Sequence, residues 1–112
     1  MAKIQKYINN ASVSNYELAL VFQPLLKEDI HKKALPRIYK LVEKFSGTYN
    51  LREEDDWGKR HLEYKISGYE EGYFVFLRIS ISADKVDRFK FELNLEKREY
   101  LLRYLLIRED KL

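Results

Sequence analysis

Hydrophobic residues recur at two different spacings along this chain, and the order of these spacings limits the folds that it can adopt. An apolar residue at every second position predicts a β-strand with one buried face, whereas intervals of three and four predict a helix with one buried side. The predicted elements are a strand at 16–22, a helix at 29–45, strands at 59–66 and 73–80, a helix at 84–94 and a strand at 98–108.

This β-α-β-β-α-β order predicts an α+β fold. Two helices on one face of a four-stranded antiparallel sheet give the ferredoxin-like split βαβ arrangement. The right-handed crossover rule places the first and third strands in the middle and the second and fourth at the edges. Core side chains are expected from alternate residues of the two central strands: Tyr16, Leu18, Leu20 and Phe22, with Tyr73, Val75, Leu77 and Ile79.

Two local features predict irregularities, one in the first helix and one at the start of the strand that follows it. Pro36 lies inside the helical pattern and removes a backbone donor there, so a kinked helix is expected, ending near Gly47. Residues 48–52 could begin the second strand, but the acidic run 53–56 interrupts them. Four consecutive acids are typical of a solvated, twisted edge or a bulged loop, and they make a poor metal site because neighbouring strand residues point to opposite sides.

The second strand follows the only Trp, Trp57, and Gly58, a residue that often marks a bend or bulge. Alternation predicts one buried face and one wet face, and it turns Tyr64 inward. The residues of the first face are Arg60, Leu62, Tyr64 and Ile66, and those of the second are Lys59, His61, Glu63 and Lys65.

Length and composition set broad limits. A chain of 112 residues is expected to form one domain, and without Cys it has no disulfide and no thiolate metal site. The net charge of +3 makes an anionic partner more plausible than a cationic one, without identifying a nucleic-acid binder. No apolar run reaches the 18 residues that a membrane span needs. Residues 1–14 are expected to form a polar, basic N-terminal arm, 15–109 the domain and 110–112 the C-terminal end.

The residues do not predict an enzyme. His31 and His61 fall on different elements, and no Cys or Ser nucleophile has a base nearby in sequence. The turn 23–27 has no Gly and so lacks the phosphate-cradling loop that acylphosphatases of this topology require. We therefore expect no catalytic residue, metal, cofactor or small-molecule substrate.

Two surfaces carry residue patterns that suit a macromolecular partner. The helix cations Lys33, Arg37, Lys40 and Lys44 form either a solvated face or a phosphate-binding face. On the outer side of the third strand, Phe74 and Phe76 could stack single-stranded RNA bases, as in domains of the RNA-recognition type. Strand one contributes no aromatic there and the signature of those domains is absent, which favours packing of these rings against a protein partner or against long side chains of the same face.

Four short motifs, in order, also carry a family resemblance. The pattern W-G-x-R-x-L-x-Y-x-I, at 57–66, resembles the second strand of the ribosomal protein S6 family, a bacterial-type component of the small ribosomal subunit. Residues 15–22 resemble the family's opening strand, 72–74 its third strand and 102–105 its last. The resemblance spans roughly residues 15 to 109.

The resemblance implies a structural constituent of the small subunit that binds the central domain of small-subunit rRNA together with ribosomal protein S18, as a heterodimer. It implies a ribosome of a bacterial cytoplasm or of an organelle, the mitochondrial matrix or a plastid, and no membrane. Trp57 either covers the sheet end or lines the partner interface. The rRNA-binding candidates are Lys59, Arg60, His61, Arg78 and Arg103, and the candidates for the partner-protein interface are Trp57, Phe74, Phe76 and Leu105.

Overall fold

The computed structural model describes residues 13–109, which form an antiparallel sheet with two helical segments on one of its faces. The first helical segment, α1, is one run over 27–44 and the second is α2, Val86–Glu96. The strands are β1 (Val13–Phe22), β2 (Thr48–Asn50), β3 (Asp56–Ile66), β4 (Tyr69–Ser82) and β5 (Leu101–Arg108). The predicted α+β, ferredoxin-like class is confirmed.

The sheet has the predicted centre but one strand more than predicted. β1 pairs with both β4 and β5, so β1 and β4 occupy the middle. β2 and β3 both pair with β4, at 78–80 and 69–75 respectively, so the second strand consists of two pieces along one edge. The prediction of four strands was wrong because the acidic residues Glu53–Asp55 leave the sheet as a 3₁₀ turn, in which Asp55 accepts a hydrogen bond from Arg52 Nε at 2.7 Å.

The core lies between the sheet and the helices, on the face predicted from alternation. Leu18, Leu20 and Phe22 of β1 and Val75 and Leu77 of β4 are buried there. From the helices, the core receives Ile30, Ala34, Leu35, Ile38, Leu41, Val42, Phe89 and Leu93. Burying a side chain of this size contributes roughly 1.5–3 kcal/mol, so this one face supplies most of the hydrophobic stabilisation.

The helical run of α1 continues through Pro36, as predicted, and accommodates it with a π turn. Residues Ile30–Ala34 form this turn, in which Leu35 N–H donates to the Ile30 carbonyl, five residues back. A regular turn would direct the carbonyl of Lys32 at the proline ring, and the wider turn relieves that conflict. Regular α-helix then runs over Leu35–Lys44.

The end of α1 confirms the predicted stop, although the left-handed residue is Ser46 (φ 58°) and not Gly47. Gly47 N–H donates to the Val42 carbonyl and Ser46 N–H to the Glu43 carbonyl, both at 2.9 Å, which is a Schellman motif. Gly47 is required by space, because a Cβ atom there would lie 2.7 Å from the Ser80 carbonyl oxygen.

Cations of α1 connect the two helices. Arg37 Nε donates to Glu96 at 2.7 Å, and Lys44 Nζ lies 2.8 Å from Glu92. Exposed pairs of this kind are worth about 0–1 kcal/mol each. Two of the four cations in the predicted stripe are thus engaged with α2, which favours a solvated helix surface over a phosphate-binding one.

The predicted ends of the chain lie almost wholly outside the described residues. The predicted arm, 1–14, lies outside the described residues except for Val13 and Ser14, which already belong to β1. The predicted C-terminal end, 110–112, also lies outside them. Within residues 13–109, no helix combines the length and the apolar character that a membrane crossing requires.

The core assignment predicts a large loss of stability on truncation. Leu20→Ala and Leu77→Ala should each lower the free energy of unfolding by roughly 2–5 kcal/mol. Leu20 is 1% exposed and Leu77 is 0% exposed, so each truncation would leave a cavity enclosed by the core. Urea denaturation followed by circular dichroism measures the change. Leu105→Ala is the matched control, because Leu105 is 59% exposed and its truncation should fall within about 0.5 kcal/mol of wild type. Losses below about 1 kcal/mol at both core positions would contradict the assignment.

Candidate protein and nucleic-acid interface

The sheet face opposite the helices, which we call the open face, gathers most of the predicted site residues. On β4, the buried residues Tyr73, Val75 and Leu77 point to the helices, so the residues between them point away. Arg103 and Leu105 of β5 are paired with Val21 and Ala19, on the outward side of β1. The predicted residues on this face are Trp57, Arg60, Phe74, Phe76, Arg78, Arg103 and Leu105.

An aromatic pair lies near the middle of the open face. The Trp57 and Phe76 rings have centroids 4.6 Å apart and planes inclined by 58°. Trp57 covers Phe76, which is half-buried, while remaining 48% exposed itself. Arg60 Cζ lies 5.8 Å from the Trp57 ring, which is cation–π distance. The indole therefore covers part of the sheet, which is one of its two predicted roles, and about half of its surface stays exposed.

A bulge in β3 places Trp57 there, as the Trp57-Gly58 sequence suggested. Asp56 pairs with Val75 and Gly58 with Phe74, so β3 uses one residue more than β4 over this step. Gly58 has φ +83°, a conformation that costs other L-residues roughly 1–2 kcal/mol. Since Asp56 opposes the inward-facing Val75, Trp57 and Gly58 both lie on the outward side, and Arg60 follows on that side opposite Gly72.

Long side chains meet across one end of the open face. Arg103 Nη1 of β5 lies 3.4 Å from the Tyr64 hydroxyl of β3, although β4 and β1 separate these strands in the sheet. Neighbouring strands lie about 4.8 Å apart, so three spacings are about 14 Å, a distance that an arginine and a tyrosine side chain span together. Gly72 allows Val21 to pack closely against β4, because a Cβ atom there would lie 2.5 Å from Val21 Cγ1.

The predicted burial of Tyr64 was wrong, because its side chain is 63% exposed. The alternation was correct in grouping Tyr64 with Arg60 and Leu62, although a register shift follows between His61 and Ile66. That side, however, belongs to the open face and not to the core. From Trp57 onward, every residue of β3 is exposed or half-buried, so neither side of this part of the strand is sealed by the helices.

The five predicted rRNA-binding residues fall on two surfaces. Arg60, Arg78 and Arg103 are exposed on the open face. Lys59 and His61 are exposed on the opposite side of β3, where Lys59 pairs with Tyr73 and His61 with Glu71. Neighbouring residues of β3 thus point to opposite sides of the sheet, with Arg60 on the open face and Lys59 and His61 on the other side.

Sequence reasoning missed a buried polar cluster around Asp56. The acidic run was expected to be solvated, yet the Asp56 side chain is only 6% exposed. Tyr73 Oη donates to Asp56 Oδ1 at 2.6 Å, and His31 Nε2 lies 2.7 Å from Oδ2. Burial, together with this hydrogen bond, raises the pKa of the Tyr73 phenol well above its usual value. Strand alternation carried a signal, because Asp56 lies on the inward side of β3, but its partners are 17 and 25 residues away in sequence.

This cluster is not arranged for catalysis. Tyr73 is 3% exposed, so its hydroxyl cannot reach a substrate, and the histidine nitrogen facing the cluster is engaged by Asp56. Within residues 13–109, no group of three or more His, Asp or Glu side chains converges on a point where it could hold a metal ion. The cluster links α1, β3 and β4.

Comparison with known proteins agrees with this geometry. The crystal structure of the 30S ribosomal protein S6 from Thermotoga maritima superposes with a TM-score of 0.70, covering 88% of this chain and 90% of that chain at 17% sequence identity. At that identity, the superposition establishes the shared fold. The family model for ribosomal protein S6 matches residues 15–108, almost the whole described range. The chain therefore belongs to the ribosomal protein S6 family of the small ribosomal subunit, as the four sequence motifs suggested.

Proposed function

We propose that this protein binds the central domain of small-subunit rRNA together with ribosomal protein S18, as a heterodimer. Family membership makes it a structural, rRNA-binding component of the small ribosomal subunit, with a role in translation. The observation that carries the finer assignment is the open face, on which half-exposed aromatic and aliphatic side chains lie among three arginines. Monomeric proteins seldom leave such a contiguous apolar patch in water.

The centre of the open face suits a protein partner. Trp57 and Leu105 are 48% and 59% exposed, and the half-buried Phe74 and Phe76 lie between their strands. Aromatic side chains are enriched in the cores of protein interfaces, where charged groups are depleted. We assign Trp57, Phe74, Phe76 and Leu105 to contact with the partner protein.

The cations suit phosphate contacts around this patch. Arg60, Arg78 and Arg103 have exposed guanidinium groups on the open face, and such groups bind phosphate oxygens in a bidentate manner. Lys59 and His61 on the other side of β3 provide a second, separate contact. Cations on both sides of one edge strand suit a protein that lies between RNA and a protein neighbour.

The structure gives less support to the alternative, a single-stranded RNA platform. Such a platform needs aromatic rings free for base stacking on the two central strands. Trp57 covers Phe76, and β1 presents Glu17, Ala19 and Val21 on the open face. We likewise propose a non-catalytic role and a ribosome of either a bacterium or an organelle.

Salt dependence tests the phosphate contacts. Arg60→Gln combined with Arg103→Gln should weaken binding to central-domain rRNA in the presence of the partner protein. The slope of log K against log salt should become shallower by about 1 for each phosphate that the variant no longer neutralises. Fluorescence anisotropy of labelled rRNA across a potassium chloride series measures both quantities, and Lys59→Gln with His61→Gln tests the second surface in the same way.

The control for this experiment is Arg88→Gln, because Arg88 is an exposed arginine of α2 on the helix side. Its substitution should leave both the affinity and the slope unchanged. A wild-type slope in the Arg60/Arg103 variant would show that these two residues do not bind phosphates.

Substitution of the aromatic residues tests the partner interface. Phe74→Ser combined with Phe76→Ser should weaken binding to ribosomal protein S18 by tenfold or more, on the order expected when buried aromatic anchors are truncated. Isothermal titration calorimetry measures the affinity, and urea denaturation of the free protein separates interface effects from loss of folding.

Phe91→Ser is the matched control, because Phe91 is an aromatic residue of α2 with 65% exposure on the opposite side of the molecule. It should leave the affinity unchanged. Wild-type affinity in the folded double variant would reject the interface assignment. Tight binding of short single-stranded RNA in the absence of any partner would favour the platform alternative instead.

A further inference from the structure

The Asp56 carboxylate lies at the junction of three elements, although nothing in the proposed binding role requires a buried acid there. Its two oxygens have separate partners: Oδ1 accepts from the Tyr73 hydroxyl of β4, and Oδ2 faces His31 Nε2 of α1. Lys27 Nζ, also in α1, lies 3.9 Å from Oδ2. With a side chain that is 6% exposed, Asp56 holds the start of β3 to both the helix layer and the central strand.

The bulge immediately after Asp56 determines which residues of β3 reach the open face. In the observed register, Asp56 opposes Val75, Gly58 opposes Phe74, Lys59 opposes Tyr73 and Arg60 opposes Gly72. Without the extra residue, Trp57 would oppose Phe74 and Lys59 would oppose Gly72. Because side chains alternate, Lys59 would then point to the open face and Arg60 away from it. The phase of β3 from Gly58 to His61 therefore depends on this bulge, and a second register shift follows between His61 and Ile66.

We propose that Asp56 is a positioning residue for the open face. Its side chain anchors the inward side of the bulge, and this holds Trp57 against Phe76 and places Arg60 over the Trp57 ring. Asp56 acts through Trp57, because its own side chain points to the helices. The anchor is two-sided, because Tyr73 and His31 approach the carboxylate from β4 and from α1. Gly58 supplies the backbone conformation that the bulge needs, and Asp56 supplies the contacts that keep the bulge at this position.

The position of His31 gives the anchor a second point of control. His31 lies in the π turn of α1, and such turns are frequent at functional sites. Its side chain is 40% exposed, so it can be altered without opening the core. A substitution of His31, in the helix layer, should therefore alter the position of the Trp57 indole on the other side of the sheet.

Fluorescence of the single Trp tests this proposal without any partner. Asp56→Asn keeps the shape of the side chain but replaces one carboxylate oxygen with an NH₂ donor and removes the negative charge, so Tyr73 Oη and His31 Nε2 can no longer each donate to a separate oxygen. In the folded variant, we expect Trp57 emission to shift to the red and acrylamide quenching to increase, because the indole leaves Phe76. Asp55→Asn is the matched control, since Asp55 belongs to the same acidic run but is hydrogen-bonded to Arg52 in its own turn. It should leave both signals at wild-type values.

A second variant covers the case in which Asp56→Asn does not fold. His31→Ala removes one of the two anchors from an exposed position, with Lys32→Ala as the neighbouring control, and should change the Trp57 signals in the same direction. Wild-type emission and quenching in a folded Asp56→Asn protein, or in His31→Ala if the first variant is unfolded, would overturn the proposal.

The consequence for binding rests on the proposed function and is measured separately. Asp56→Asn should weaken the affinity for ribosomal protein S18 by about tenfold, as expected when an interface anchor is displaced. Trp57→Ala distinguishes the two ideas. If Trp57→Ala leaves this affinity unchanged while Asp56→Asn alters the fluorescence, the positioning role stands and the assignment of Trp57 to the interface fails.

Discussion

Burial of one sheet face beneath both helices is the constraint on which the rest of this structure depends. Alternate residues of β1 and β4 join the helix side chains in a single core, and that core uses one side of the sheet only. The other side must then meet water or a partner, because the described chain contributes no third layer to cover it. The residues on that side, among them Trp57, Phe76 and Leu105, are too apolar to be favoured in water, so the architecture itself creates a surface for binding.

The edge formed by β2 and β3 determines which side chains are exposed on each side of the sheet. From Trp57 onward neither side of β3 is sealed, so residues on both sides are accessible, and the bulge at Trp57 determines which residues lie on which side. Arg60 lies over the indole, while its neighbours Lys59 and His61 point the other way. A shift of one residue would exchange these groups without altering the composition of the strand. Here the position of a backbone irregularity matters more than the identity of any one cation.

Periodicity predicted the element order and the inward residues of β1 and β4, because those depend only on local spacing, and the crossover rule then placed the two central strands. Periodicity also grouped Arg60, Leu62 and Tyr64 correctly on one side of β3. It could not say which side of β3 faces the helices, which depends on the register of β3 against β4, and so Tyr64 was wrongly placed in the core. The split of the second strand and the burial of Asp56 escaped prediction for a related reason. Asp56 meets His31 and Tyr73 only in the folded chain, and an acidic run carries no local sign that one of its members is paired.

The choice of arginine on the open face follows from the same geometry. A lysine ammonium is strongly hydrated and would resist contact with an apolar patch, whereas the planar guanidinium can lie against an aromatic ring and still donate to a phosphate. Arg60 lies over the Trp57 ring in this way, whereas Arg103 directs Nη1 to the Tyr64 hydroxyl. Both arrangements leave other guanidinium donors available at the border of the patch. The open face can therefore bury its centre against a protein while its arginines contact a phosphate backbone, and for this reason we assign both partners to one side of the sheet.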